Sequence, residues 1–160
     1  MERLDIISES LAHKPRLTLR KEEKLRHRSL VEALFKNGNS LYEFPLRMIW
    51  CSLDQDALSS NFRNDVPERI GIMQMLITVP KKKRRRAVDR VLMRRRIREA
   101  YRLNRASLRQ IVENNPSVRS LEIAFIYIHD ENLSYAYIER KMKILLGKLE
   151  TKLNNNIIAT

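Results

Sequence analysis

Residues 81–105 read KKKRRRAVDRVLMRRRIREAYRLNR, a stretch in which thirteen positions are Lys or Arg and only Asp89 and Glu99 answer them. Charges enter a protein interior only when paired, so a fold built from this chain must present the segment at its surface. The run accounts for most of the chain's formal net charge of +13, and the rest of the sequence is close to neutral. Closely spaced cations oppose the compact state by self-repulsion, and a polyanionic partner is what offsets that cost.

Periodicity within the run adds a second constraint. No Pro or Gly occurs from Ala87 to Val112, and these residue types favour one continuous helix. Placed at about 100° per residue, Met93, Ile97, Ala100, Tyr101, Leu108 and Ile111 share one side. Arg94, Arg98, Arg102, Arg105 and Arg109 form an adjoining stripe, with Arg90 and Arg95 at its margins. One helix can thus bury one face and offer the other as a ridge of guanidinium groups.

The flanking sequence supplies a scaffold for it. Leu25, Leu30, Val31, Leu34 and Phe35 mark a first helix over 22–36, stopped by Asn37 and Gly38. After a short polar link, LRMIWCSL (46–53) alternates like a strand, and the polar segment 54–68 reads as a long hairpin loop. IGIMQMLITV (70–79) and LEIAFIYI (121–128) have the composition of buried strands, and Pro80 and Pro116 act as breaks. Ser134 is a plausible N-cap for a closing helix carrying Tyr137, Ile138, Met142, Leu145, Leu146 and Leu149. The order predicts an α+β fold, a single-domain sandwich of helices on a mixed sheet. Residues 1–19 read as a flexible extension, 20–150 as the domain and 151–160 as a flexible tail.

A chain of 160 residues with 43% hydrophobic content can bury its own core as one domain. The lone Cys51 has no internal disulfide partner, and MERLDIISES mixes charge into each short apolar run, unlike a signal peptide. Those features predict a reducing, cytoplasmic setting. No stretch approaches the roughly 20 apolar residues of a membrane span, so a membrane partner is not expected.

Catalytic signatures are missing from the sequence. Three glycines, Gly38, Gly71 and Gly147, cannot build a phosphate-cradling loop, and His13, His27 and His129 lack ligand spacing with Cys51. The chain reads as a binder, with no catalytic residue and no metal site of its own expected. PKKKRRR at 80–86 matches a nuclear import peptide, but it is wedged between a strand and a helix. A basic-region DNA reader would need leucine heptads after Arg105, and Pro116 ends the helix instead. An ordinary solvated face mixes signs at i, i+4, whereas Arg94, Arg98 and Arg102 repeat one sign. From Arg84 to Arg105 there are ten Arg and no Lys, a choice that favours bidentate pairing with phosphate. RNA is the partner that fits best.

The strand ending LITVPKKK, followed by RRRAVDRVLMRRRIREAYR, resembles the strand, basic turn and Arg-Asn-x-x-Lys-Arg helix of the bacterial ribonuclease P protein component. KLRHRSLVEALFKNG (24–38) is similar to that family's first helix, and the C-terminal strand and helix match in placement, so the resemblance spans about residues 20–150. It implies a fold like the second domain of a small-subunit ribosomal protein, with a left-handed βαβ crossover. It implies an accessory subunit of a ribonucleoprotein endoribonuclease in which the RNA performs the chemistry, with Mg2+ held mainly by that RNA. The implied partners are ribonuclease P RNA and precursor tRNA; oligomeric state is left open.

Position by position, Arg90, Arg94, Arg95 and Arg98 fall on the signature's basic residues, and Lys81, Lys82 and Arg102 flank them as further RNA-binding candidates. Val31, Phe35 and Trp50 are the candidates for a cleft that receives the 5′ leader of precursor tRNA, with Ile49 as the alternative strand residue. Val91 stands where the signature has Asn, and the turn 81–86 is longer and more basic than the family's. A ribosomal or ribosome-assembly protein using the same kind of fold is the alternative reading.

Overall fold

The computed structural model describes residues 17–159. The expected extension therefore lies outside the described residues except for its last three. Four strands form one mixed sheet: β1 (Asn39–Glu43), β2 (Leu46–Leu53), β3 (Met73–Thr78) and β4 (Ser120–Tyr127), in spatial order β1-β2-β4-β3. β1 and β4 both run antiparallel to β2, while β3 lies parallel to β4. The helices are α1 (Arg28–Asn37), α2 (Gln55–Ser60), α3 (Ala87–Asn104), α4 (Ala106–Glu113) and α5 (Tyr135–Ala159). The α+β class and the mixed sheet are as the sequence predicted.

Strand alternation sorts side chains to two layers. Leu46, Met48 and Trp50 of β2 and Ile123, Phe125 and Tyr127 of β4 face the core formed with Met93, Ile97 and Tyr101 of α3 and Met142, Leu145 and Leu149 of α5. Ile49 and Ala124 point the other way, toward Leu30 and Leu34 of α1, Leu25, Leu58 and Ile70. Each such large apolar side chain, fully buried, contributes about 1.5–3 kcal/mol of transfer free energy. β4 is central and almost wholly buried, which is why its sequence is a near-continuous apolar run.

Several local expectations change. The first helix starts at Arg28 rather than residue 22; Lys21–Glu23 form a 3-10 turn, Lys24 bridges to Met75 at the outer edge of β3, and the Leu25 N–H donates to the Met75 carbonyl at 2.9 Å. The edge of β3 satisfies the backbone that helix would otherwise have paired. The polar link before residue 46 is strand β1, joined to β2 through a cis Phe44–Pro45 bond. Residues 54–68 are no hairpin, because β4 lies between β2 and β3; Asp54 caps α2 by accepting from the Ala57 N–H at 2.7 Å, and α2 buries Leu58.

The single helix expected over 87–112 is two helices that meet at Arg105. The closing helix is capped by Ser134, whose hydroxyl accepts from the Tyr137 N–H at 3.3 Å. It runs on through the residues read as a tail, held there by Leu153, only 3% exposed in the core. Gly38 ends α1 against the sheet: a Cβ at that position would sit 2.4 Å from the Leu34 carbonyl oxygen and 2.5 Å from the Ile49 methyl, so only glycine permits the approach.

Candidate nucleic-acid interface

The basic run is surface on one side and core on the other. Met93, Ile97, Ala100 and Tyr101 of α3 are completely buried, which fixes the rotation of the helix about its axis. That rotation leaves Arg95 and Arg98 exposed and Arg94 and Arg102 half-buried on the outward side. Among the described residues, Arg94, Arg95 and Arg98 have no carboxylate within ion-pair distance. Arg102 is partly neutralised, since its Nε donates to Glu99 at 2.9 Å, and that hydrogen bond holds the Glu99 carboxyl below the usual carboxylate range.

Arg105 is not part of the ridge. Its side chain is 3% exposed and its Nε lies 2.8 Å from a Glu23 carboxylate oxygen; it also donates to the carbonyls of Leu17 at 3.2 Å and Thr18 at 3.1 Å. Burial pushes the Glu23 carboxyl upward, but hydrogen bonds from Arg105 and the Arg20 N–H, with the charges of Arg105 and Arg109, outweigh it and leave Glu23 below its ordinary value. Arg109 is shared between Glu113 at 2.9 Å and Glu23 at 3.5 Å. The inner end of the arginine stripe thus fastens the chain's own N-terminal segment rather than an outside anion.

That fastening builds part of the site. Thr18, Leu19 and Lys24 are brought beside Arg95, Arg98, Glu99 and Arg102, and together they line an open hollow of about 550 Å³. Lys24 was missed in the sequence, where KEEK reads as helix surface; only the bridge to β3 carries it to the ridge.

At the other end of α3, Arg90 is half-buried and its guanidinium donates to the carbonyls of Arg84 at 3.0 Å and Arg85 at 2.6 Å. Arg84 pairs with Asp89 at 3.0 Å and also donates to the Asp130 carbonyl. Asn132 donates to Asp89 at 2.9 Å, and this bond, with the nearby charges of Arg84 and Arg86, keeps the Asp89 carboxyl low despite some burial. Lys81, Lys82, Lys83, Arg85 and Arg86 are exposed around this framework. Val91, also exposed at 38%, lies on α3 between the turn and the ridge, and nothing in the structure explains why an apolar residue stands there.

The three candidates for the leader cleft do not come together. Val31 and Phe35 lie one turn apart on α1, Val31 half-buried and Phe35 46% exposed. Trp50 is 5% exposed in the core under α3 and α5, on the opposite face of the sheet, so it cannot line a cleft beside α1. Ile49 is on the α1 face but is covered by the close end of that helix. On that face Tyr42 is 56% exposed and the half-buried Arg47 holds its guanidinium 5.5 Å from the Tyr42 ring centroid, with Ser40 and Thr78 also exposed there. Tyr42, Arg47, Ile126 and Thr78 form one cross-strand row. The polar link assigned to Tyr42 in the sequence concealed it.

Among the described residues, no three His, Cys, Asp or Glu side chains are grouped to hold a metal ion, and no helix is long and apolar enough to cross a membrane.

Comparison with known proteins bears on the same segment of chain. The family model "Ribonuclease P" matches residues 19–150. The ribonuclease P protein component of Porphyromonas gingivalis W83 is 31% identical over 129 residues, covering 81% of this chain and 84% of that protein. Among solved structures, the RNase P protein of Staphylococcus aureus superposes with a TM-score of 0.55 at 16% identity, over 79% of this chain and 94% of that one. The RNase P protein of Thermotoga maritima gives 0.53 at 20% identity, over 79% and 96%. These two share the fold. With the family model spanning α1 to α5 and a relative of this identity and coverage, the chain belongs to the ribonuclease P protein component family, the protein side of an endoribonuclease complex.

Proposed function

We propose that this chain docks on its ribonuclease P RNA through the outer face of α3 and holds the 5′ leader of precursor tRNA on the α1 side of the sheet, assisting endonucleolytic 5′ maturation of tRNA. Arg94, Arg95, Arg98 and Lys24 grip phosphates of the RNA subunit, and Arg102 adds the part of its charge that Glu99 leaves. Lys81 and Lys82 contribute from the turn. Phe35 and Tyr42 offer ring faces on which leader bases stack, and Arg47 supplies charge for the intervening phosphates. Val31 lends apolar support behind Phe35. Magnesium held by the RNA subunit would supply the activation of the attacking water, while this chain's residues bind and orient the RNA strands.

The observation that carries the reading is the convergence of Arg95, Arg98 and Lys24 on one hollow, from segments far apart in sequence. Reconstitution with the genomically matched RNA tests it. The chain should stimulate cleavage of precursor tRNA at low magnesium, and Arg98→Ala should lower the salt dependence of RNA binding by about one unit of log–log slope. Absence of stimulation with intact RNA binding would leave the ribosomal or ribosome-assembly role in its place.

A further inference from the structure

Cys51 of β2, Glu122 of β4 and Gln74 of β3 stand opposite one another in one cross-strand row, on the sheet face that Ala124 turns to α1. Gln74 and Glu122 are each 1% exposed. Polar groups so buried are normally all hydrogen-bonded, and this row is short of donors. The Ser120 hydroxyl has one hydrogen for two acceptors, Glu122 Oε1 and the Gly71 carbonyl. Glu122 Oε2 and Gln74 Oε1, on residues paired across the parallel strands, have no donor among the described residues. A single proton on Glu122 Oε2 satisfies both, because the acid O–H then donates to the amide oxygen.

The other end of the same amide reaches the N-terminal segment. Gln74 Nε2 donates to the Glu22 carbonyl at 3.3 Å, and Gly71 permits that carbonyl to come close, since a Cβ there would stand 2.5 Å from it. Glu22 belongs to the segment that Leu25 pins to the edge of β3 and that carries Lys24 to the α3 ridge. An ionised Glu122 would set a carboxylate against the amide oxygen. Turned over, the amide gives its N–H to the carboxylate, but its oxygen then faces the Glu22 carbonyl. The two charge states of Glu122 therefore favour opposite orientations of Gln74, and only one of them holds residue 22.

We infer that Glu122 and Gln74 form a proton-operated latch: the neutral acid bridges to the Gln74 amide oxygen and leaves the amide N–H on the Glu22 carbonyl, and loss of that proton to solvent turns the amide and releases the segment that places Lys24. The consequence for Lys24 rests on the proposed docking of α3 on RNA, whereas the latch itself is a property of the free protein. Burial, opposed by the Ser120 hydrogen bond and the charge of Arg119, raises the Glu122 carboxyl to about 7, which sets the latch near neutrality. It is closed below that pH and open above it. β2 presents the Cys51 thiol, which burial and the Glu122 charge push up and keep neutral. The 3-10 turn presents the Glu22 carbonyl, while the Glu23 carboxylate is held by Arg105. On segment 54–70 Asp54, Asp56, Arg63, Asp65, Glu68 and Arg69 are exposed, as are Arg28, Glu32 and Lys36 of α1. His27, at the head of α1, lies edge-on to Phe62.

The free full-length chain tests the latch by NMR and amide exchange. Between about pH 6 and about pH 8 the side-chain carboxyl resonance of Glu122 should titrate and the Gln74 side-chain amide should shift with it. In the same step the Leu25 amide, corrected for intrinsic rate, should lose protection by up to about tenfold, the worth of one hydrogen bond. Glu122→Gln puts a permanent donor against the Gln74 oxygen, so protection should stay at the low-pH level throughout; Gln74→Leu lacks both ends of the amide and should stay at the unlatched level. Binding to the matched ribonuclease P RNA at fixed salt should weaken by about twofold to threefold across the step, and that step should vanish in Glu122→Gln and in Lys24→Ala. A Glu122 resonance that stays at its carboxylate position down to about pH 6, or a titration that leaves Leu25 protection unchanged, would overturn the latch, and both are read on the wild-type chain even where a variant fails to fold. A protection step that persists in Glu122→Gln would assign the switch to another group, His27 among them, and overturn it as well. Absence of RNA binding by the wild type would refute the docking of α3 while the exchange data still decide the latch. Intact binding with no step that depends on Glu122 would overturn its control of Lys24.

Discussion

Arg105→Met is the substitution with the largest consequence that surface reasoning would miss. Methionine preserves an unbranched apolar stem and removes every donor. The lost partners are the Glu23 carboxylate at 2.8 and 3.3 Å and the carbonyls of Leu17, Thr18 and Arg102. Glu23 is 5% exposed, so it stays behind as a buried acid with only the Arg20 N–H at 2.8 Å and Arg109 at 3.5 Å. Removing one member of a buried ion pair costs about 3–5 kcal/mol, and the two surviving partners argue for the lower end, about 3 kcal/mol. In urea denaturation, with m near 2 kcal/mol/M for a domain of this class, the midpoint should fall by about 1.5 M.

Two controls sharpen that experiment. Glu23→Gln should recover part of the loss in the Arg105→Met background, because a neutral amide costs less to bury than a carboxylate. The pH dependence also has a definite sign. Glu23 has its pKa lowered by folding, so its contribution is complete above the unfolded carboxylate pKa of about 4.3 and is lost as pH falls toward the lower folded value; Arg105→Met should flatten that acid limb. A midpoint shift below about 0.5 M, or an unchanged acid limb, would mean the pair is solvated and does not fasten residues 17–23 to the junction of α3 and α4.

Three further outcomes are expected. Glu122 is buried beside Ser120, with its second carboxylate oxygen and the Gln74 amide oxygen both lacking hydrogen-bond partners among the described residues, and burial raises its pKa to about 7. The folded state holds that proton more tightly than the unfolded one, so thermal stability should decline from about pH 4.3 to about pH 7 and then level, a loss of about 4 kcal/mol that Glu122→Gln should abolish. Phe35→Ala should weaken precursor tRNA by about 1–3 kcal/mol and mature tRNA little in a holoenzyme binding assay, since only the former has a leader to stack; equal losses would make Phe35 structural. Gly38→Ala should cost about 1–3 kcal/mol by denaturant titration, because the new methyl meets a backbone oxygen as well as Ile49, and a neutral result would show that α1 can back away from β2.

What could be read in the sequence was what local pattern decides. β2 begins and ends where the alternation of LRMIWCSL says it should, and the stripe Met93–Ile97–Tyr101 correctly sets which way α3 faces. What could not be read depends on partners distant along the chain. Arg105 belongs to the arginine stripe by angle, yet its acid lies 82 residues earlier, so no window on the sequence pairs them. Trp50 shows the limit of alternation: a period of two gives a strand two faces but does not say which one meets α1. β1 was hidden because an edge strand with one exposed flank has little apolar content to signal it. Lys24 joins the ridge only through a backbone bridge, a contact to which side-chain pattern is blind.

The position of β4 has a consequence for the order in which the molecule can assemble. It is the central strand, pairing with β2 on one side and β3 on the other, yet it is the last of the four to be synthesised. Until Ser120–Tyr127 leaves the ribosome, the nascent chain has only the β1–β2 hairpin, and an isolated two-stranded hairpin is marginal in water. The whole arginine-rich segment emerges before that point, without a platform to hold it. The newborn protein therefore carries the full positive charge of that segment before it has a shape with which to choose among polyanions, and the arrival of one strand turns charge into a shaped surface.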